Sequence, residues 1–303
     1  MQVLYAFNGS ESDDFTKDQK FLLNSIDNMY SLYILLLSLM VEVREKAELQ
    51  IDKDQKKHFA SDEEKSPNRK FINNEVLLSI ANNPAFLLKQ DDLNVNNWKL
   101  DGEYVDIIYK ELVSSSLYKE YISTKTSTFK EDRNFIVDFF KEIVAPNDKL
   151  YNYLEDKNLT WLDDLPIVNT TILKILKKTK QDSPDVHLTP KLYKDTEDKE
   201  YAINLFKKSL LNQGELKSVI GSKTKNWDAD RIASLDTVLL TMALCEIEKF
   251  PSIPTKVTIN EYLEIAKEYS TPKSSIFING ILDKIVKEHQ AAGTLNKIGR
   301  GLM

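Results

Sequence analysis

The stretch "IPTKVTINEYLEIAKEYSTPKSSIFINGILDKI", from Ile253 to Ile285, decides the fold of this chain. Pro254 marks a helix start, and apolar residues then recur every three or four positions. A polar loop that contains Lys273 follows, and an apolar segment comes after the loop. The stretch therefore predicts two helices, at about 256–269 and 275–290, joined by a short loop.

The second of these helices is apolar over more than one face, so we expect it to be central to a helical bundle. Its apolar positions are Phe277, Ile278, Ile281, Leu282, Ile285 and Val286. Gly280 lies among them, although glycine inside a helix costs about 1 kcal/mol relative to alanine. We expect that a neighbouring helix approaches this glycine closely.

Composition predicts an all-α protein. The 303 residues are 42% hydrophobic and include only eight glycines and nine prolines, whereas helix formers are plentiful. Further helices are expected at about 17–50, 70–89, 102–121, 130–144, 147–156, 164–179, 196–221 with a break at Gly214, and 228–249. The single cysteine, Cys245, excludes an internal disulfide framework and fits a reducing compartment.

Net charge and hydropathy restrict the partners. The most apolar stretch, 29–41, is shorter than the roughly 20 residues of a membrane span, so we expect a soluble, cytoplasmic protein with no membrane partner. A net charge of −6 is unusual for a nucleic-acid binder. Binding to RNA would therefore need a local basic patch or help from another protein.

Composition along the chain divides it into three regions. Residues 1–190 are expected to form an enlarged N-terminal helical region with a charged, solvated linker at about 51–71. A second linker at 180–190 leads into a helical core at 191–290, and the tail at 291–303 is expected to be flexible. Residues 132–176 and 198–242 repeat one pattern faintly, with Trp161 and Trp227 in register, which favours a duplicated helical module over a chance likeness.

Sequence signals for catalysis are weak. His58, His187 and His289 lie far apart, without the spacing of metal ligands. No glycine-rich phosphate loop and no nucleophile elbow occur. Cys245 lies among apolar residues, as a core thiol does. We expect no catalytic activity, no cofactor and no metal.

The C-terminal third resembles the NusB family of bacterial transcription antitermination factors. The family pattern P-x-K-V-x-I-N-E-x-x-E-(L/I)-A-K is matched from Pro254 to Lys267, and F-(V/I)-N-G-(V/I)-L-D-K from Phe277 to Lys284. The preceding "WDADRIASLDTVLLTMALCEI" and the opening "MQVLYAF" also match. The resemblance covers about 191–288, and much of 43–190 is additional to a compact family member.

The resemblance implies a NusB-like bundle of two helical subdomains without catalysis. It implies binding to a boxA-type element of nascent ribosomal RNA, together with a small-subunit ribosomal protein that doubles as an elongation factor. RNA polymerase would be contacted indirectly, within its elongation complex. The positions that the resemblance points to for RNA are Tyr5, Lys256, Tyr269, Lys273, Ser274, Ser275 and Phe277, and those for the protein partner are Glu246 and Glu261.

Two departures from the family leave an alternative open. The family usually has an arginine-rich arm ahead of the segment that starts here at Met1, so either the arm is lost or this sequence starts at an internal methionine. The loop carries Lys273 where the family often has acidic residues. Lysine favours phosphate, whereas the missing arm and the acidic composition favour a helical interaction scaffold that has lost RNA binding.

Overall fold

Helices account for the regular structure of the chain. The computed structural model describes residues 1–10, 14–57, 61, 65–223 and 233–298. No strand occurs within these ranges, so the prediction of an all-α fold is confirmed. The α-helices are α1 Gln2–Gly9, α2 Phe15–Gln55, α3 Glu75–Ala81, α4 Pro84–Asp92, α5 Asn97–Leu100, α6 Gly102–Ser114, α7 Ser116–Tyr121, α8 Phe129–Phe139, α9 Asp148–Lys157, α10 Trp161–Lys178, α11 Thr196–Leu211, α12 Gln213–Lys223, α13 Ser234–Lys249, α14 Thr255–Tyr269 and α15 Ser274–Ala291.

The chain forms two compact units. One consists of Asn24–Leu192 and the other of Met1–Leu23 together with Tyr193–Met303. The first residues therefore belong with the C-terminal unit rather than with a region 1–190. The reason is that Val3 and Leu4 of α1 are buried in the apolar core of that unit.

Helix α2 supplies the centre of the core of Asn24–Leu192. By length and composition it could cross a membrane, but 61% of its most apolar 18-residue window is buried inside the protein. Leu32, Ile34, Leu35, Leu37, Leu39 and Met40 are completely buried. Nearly every residue in this part of the helix is buried, as expected for a helix at the centre of a protein core.

Capping residues divide two of the expected helices. Asn83 accepts the backbone N–H of Phe86 at 2.8 Å and is followed by Pro84, so a new helix starts inside the expected 70–89. Ser115 accepts the backbone N–H of Tyr118 at 3.1 Å and divides 102–121 in the same way. The helix expected at 130–144 is α-helical up to Phe139 and continues as a π-helix from Phe140.

The two segments expected to be solvated linkers contribute buried residues. Phe71, at the end of 51–71, is buried, and so is Lys70, whose Nζ donates to the Tyr121 carbonyl at 2.7 Å. In 180–190, Leu188 is buried, and its carbonyl accepts the Tyr33 hydroxyl at 3.0 Å. The prediction of a solvated linker at 180–190 is wrong because these long-range contacts hold the segment against its own unit. The boundary expected at this segment lies close to it, between Leu192 and Tyr193.

Helix α13, rather than the last helix, is the centre of the other unit. Its residues from Val238 to Ile247 are all buried, and α11, α12, α14 and α15 pack around it. Helix α15 buries only one stripe, and Ile276 on its outer side is 75% exposed. The expectation that α15 is central is therefore wrong. Cys245 is buried on α13, and burial raises the pKa of its thiol.

Gly280 does not mediate a close helix contact. It is exposed, and a Cβ atom added to it would meet no other atom within 4 Å. The expected role in close packing is therefore wrong. At the end of α15, Gly293 is different, because its φ of +65° favours glycine.

The described part of the C-terminal tail is attached to the unit. The backbone N–H of Ile298 donates to the Pro251 carbonyl at 2.9 Å, and Lys297 Nζ donates to the Phe250 carbonyl at 3.0 Å. The tail is therefore fixed as far as residue 298 rather than flexible from 291. Three parts of the sequence predictions lie outside the described residues: residues 299–303 of the tail, Trp227 of the repeat, and residues 228–232 of the helix expected at 228–249.

Replacing Gly280 by alanine should stabilise the protein by about 1 kcal/mol, because the helix loses the entropic cost of glycine and the added methyl group meets no neighbour. Urea unfolding of the purified chain measures the change. Gly293→Ala is the matched control and should destabilise, because alanine is strained at positive φ. Destabilisation by Gly280→Ala would contradict the observed packing.

The carboxyl group of Asp164 is expected to make the free energy of unfolding depend on pH. Burial raises the pKa of its carboxyl to about 6, and the charge of Asp163 adds to the shift. The unfolded pKa is about 3.9, so the folded state binds the proton more tightly and is stabilised as the pH falls from about 6 to 4.

Asp164→Asn should therefore be more stable than the wild type at pH 7, by about 1 kcal/mol after allowance for partial exposure, with no difference near pH 4. Urea unfolding at a series of pH values measures this, with the exposed Asp156→Asn as the control. An equal difference at both pH values would count against the assignment.

Candidate nucleic-acid interface

A buried carboxylate on α13 holds the loop between α14 and α15. Asp236 Oδ1 accepts the hydroxyl of Ser270 at 2.6 Å, and its Oδ2 accepts the hydroxyl of Ser274 at 2.7 Å. The hydroxyl of Thr271 lies 2.8 Å from that of Ser274 and extends the network. Asp236 also lies in the first turn of α13, where the helix dipole stabilises a negative charge. These interactions fix both ends of the loop.

Ser274 is therefore a structural residue. Its side chain is buried and its hydroxyl is used by Asp236, so it cannot face RNA as the resemblance implied. Ser275, the next residue, is half-buried. The expectation for Ser274 is wrong because the first turn of α15 directs this hydroxyl into the protein.

Three exposed members of the expected RNA site, Lys273, Tyr269 and Tyr5, lie near the loop between α14 and α15 or the start of α13. Lys273 is exposed at the start of α15, and Tyr269 is 37% exposed at the end of α14. Tyr5 is 46% exposed, and its hydroxyl accepts that of Ser234, the first residue of α13, at 3.3 Å. These three side chains lie at the end of the unit where α13 and α15 begin. Phe277 is half-buried and packs against the core.

Lys256 lies elsewhere. It is exposed in the first turn of α14, whereas the loop follows the last turn of the same helix. At 1.5 Å per residue the two ends are about 20 Å apart. The expectation that Lys256 adds to the patch around Lys273 is therefore wrong.

Glu246, expected to bind a protein partner, is an internal residue. Its Oε1 accepts the hydroxyl of Thr258 at 2.7 Å, and its Oε2 accepts those of Tyr262, at 3.3 Å, and Tyr201. Burial, followed by the charge and hydrogen bonding of Glu246, raises the pKa of both tyrosines. The expectation for Glu246 is wrong because the carboxylate is buried among hydroxyl groups. Glu261 is exposed on α14.

Sequence reasoning missed Asp236 and gave Glu246 the wrong role, and both are buried carboxylates of α13. Their positions carry a weak signal, since Asp236 and Glu246 interrupt an otherwise apolar run that includes Val238, Leu239 and Met242. A carboxylate on the buried side of such a helix needs hydrogen-bond donors from its neighbours. Which serine, threonine or tyrosine supplies them depends on the packing.

Within the described ranges, no group of three or more His, Cys, Asp or Glu side chains is arranged to hold a metal ion.

Replacing Glu246 by alanine should destabilise the protein by about 3 kcal/mol, because three buried or partly buried hydroxyls lose a charged acceptor. Urea unfolding measures the loss. Glu261→Ala removes the same side chain from an exposed position of α14 and should change stability by less than about 0.5 kcal/mol. Equal effects of the two substitutions would contradict the internal role of Glu246.

Comparison with known proteins identifies relatives of the C-terminal part. The NusB family model matches residues 176–287. The chain is 42% identical over 112 residues to the transcription antitermination protein NusB of Salinibacter ruber, a match that covers 37% of this chain and 70% of the relative. It is 45% identical over 94 residues to that of Finegoldia magna, covering 30% of this chain and 69% of the relative.

A third relative, the transcription antitermination protein NusB of Chloroherpeton thalassium, is 36% identical over 129 residues, 42% of this chain and 61% of the relative. No solved structure matches the chain. The matched segment contains α13, α14 and almost all of α15, the helices that build the loop and its carboxylate support. On the identity and coverage of these relatives, the chain belongs to the NusB family.

Proposed function

We propose that this protein is a transcription antitermination factor that binds a boxA-type element of nascent ribosomal RNA in the cytoplasm. The small-subunit ribosomal protein that doubles as an elongation factor would bind beside it, and RNA polymerase would be reached through that assembly. The relatives are named as transcription antitermination proteins. The observation that carries the proposal for RNA is the exposed, immobilised loop at the start of α15.

The chemistry of this loop suits a phosphate of an RNA strand. Helix α15 has 18 residues and begins at Ser274, and no side chain caps its first turn among the described residues. The Ser274 N–H is used by the Thr271 carbonyl at 2.9 Å, but the dipole of α15 still favours an anion at this loop. The Asp236 carboxylate, bonded to Ser270 and Ser274, offsets part of that positive potential. Lys273 adds a full positive charge at the same place.

Aromatic side chains beside the loop suit the bases. Tyr269 and Tyr5 are each more than one-third exposed. Stacking of a base on an exposed ring contributes about 1–3 kcal/mol and tolerates different bases. An exposed lysine with exposed aromatic rings at the same end of the unit suits a single strand, even in a protein of net charge −6.

The protein partner is proposed to bind the outer face of α14 that carries Glu261. This carboxylate is exposed and forms no ion pair within the described residues. A basic ribosomal protein would be attracted to it. The same attraction would bring additional positive charge to the RNA, which an acidic chain needs.

Lys273→Gln should weaken binding of a boxA-type RNA and reduce the slope of log affinity against log salt concentration by about 0.7, the loss of one phosphate contact on a single strand. Fluorescence anisotropy with labelled RNA, with and without the ribosomal protein, measures both. Lys256→Gln removes the same charge at the other end of α14 and should leave both quantities nearly unchanged.

A wild-type chain that shows no salt-dependent binding of this RNA, either alone or with the ribosomal protein, would overturn the proposal. That result would favour the helical interaction scaffold. Equal losses for Lys273→Gln and Lys256→Gln would show that net charge, rather than the loop, controls binding.

A further inference from the structure

A second positively charged feature lies in the unit Asn24–Leu192. A cleft of about 670 Å³ opens beside the C-terminal end of α10. The charged and titratable side chains that line it are Arg133, Lys177, Lys178, Lys180, Asp182 and His187. It thus contains four cations and one carboxylate, although the chain as a whole is acidic.

The helix dipole explains only part of this cluster. Lys177 and Lys178 lie in the last turn of α10, where positive charge is favourable without any ligand. Arg133 comes from α8, and Lys180 and His187 follow the end of α10. The helix end therefore does not account for these three positions. None of the four cations forms an ion pair in the part of the chain that the structure describes.

The wall of the cleft formed by 180–188 is held in place. The Lys180 backbone N–H donates to the Ser183 hydroxyl at 2.8 Å, which closes a turn. The Asn83 side chain donates to the Asp185 carbonyl at 3.0 Å, and the Tyr33 hydroxyl donates to the Leu188 carbonyl at 3.0 Å. A ligand therefore meets a preformed surface and does not need to order this segment.

Arg133 and His187 are positioned by the same backbone. The Arg133 Nη1 donates to the Thr179 carbonyl at 3.4 Å, which leaves most of its five N–H groups for a ligand. The Thr179 hydroxyl uses its proton in a hydrogen bond to the Ile175 carbonyl, so towards His187 it can only accept. The Nε2 of His187 lies 3.1 Å from this hydroxyl and is therefore the donor. The imidazole is thereby fixed at the edge of the cleft.

We propose that this cleft binds the phosphate backbone of single-stranded RNA, as a contact additional to the loop at α15. The choice of RNA among polyanions rests on the proposed function, whereas the polyanion site rests on the cleft itself. The cleft is open to solvent, so it suits an extended backbone rather than one enclosed phosphate. Its cations contact phosphates and carry no base specificity.

The test uses the full chain and a fluorescein-labelled oligouridylate, with anisotropy measured over a series of KCl concentrations. The cleft variant is Lys177→Gln, Lys178→Gln, Lys180→Gln. It should bind at least tenfold more weakly at low salt, with a salt slope smaller by about 2 for three lost contacts. The control variant is Lys110→Gln, Lys119→Gln, Lys149→Gln, which removes three exposed lysines outside the cleft from the same unit. Thermal unfolding by circular dichroism checks that both variants remain folded.

Three results would overturn the inference: no binding of oligouridylate by the wild type, equal binding by the wild type and the cleft variant, or equal losses in the cleft and control variants. A parallel titration with boxA-type RNA separates this failure from that of the proposed function. If the wild type binds boxA-type RNA and the cleft variant is unaffected on both probes, only the cleft assignment fails. If the wild type binds neither RNA, both proposals fail.

Discussion

The C-terminal unit depends on two carboxylates that are buried on α13 and bonded to hydroxyl groups. Asp236 accepts hydrogen bonds from Ser270 and Ser274, and Glu246 accepts them from threonine and tyrosine side chains of α11 and α14. Neither carboxylate forms an ion pair within the described residues. Hydrogen bonds to a charged group contribute about 1.5–3 kcal/mol each, and leaving such a buried group unpaired is costly. These contacts therefore fix how the neighbouring helices sit on α13, which apolar packing alone would specify less precisely.

The two carboxylates differ in their helix environment. Asp236 lies in the first turn of α13, where the helix dipole favours its charge, and needs only two serines. Glu246 lies close to the last turn, where the dipole is unfavourable, and three hydroxyls solvate it. The Asp236 contacts hold the α14–α15 loop and thereby place Lys273 at the protein surface. A residue that never touches RNA would in this way determine the shape of the proposed RNA site.

Sequence reasoning predicted the helices well where apolar periodicity was long, as in α14 and α15, because burial of one face dominates their stability. It joined α3 to α4 and α6 to α7, because the caps Asn83 and Ser115 act locally within continuous apolar patterns. It also read 180–190 as a linker, because the Tyr33–Leu188 contact joins positions 155 residues apart. For the site, exposure of Lys273 and Tyr269 followed from loop position, whereas burial of Ser274 and Glu246 depended on packing partners that the pattern does not reveal.

Asp236 immobilises the loop between α14 and α15. Hydrogen–deuterium exchange of the wild type and of Asp236→Ala, followed by mass spectrometry of peptides from 270–280, tests it most directly. We expect faster exchange in these peptides of the variant, because both ends of the loop lose their acceptor, while peptides of Asn24–Leu192 remain unchanged. Identical exchange of 270–280 in the two proteins would contradict the claim.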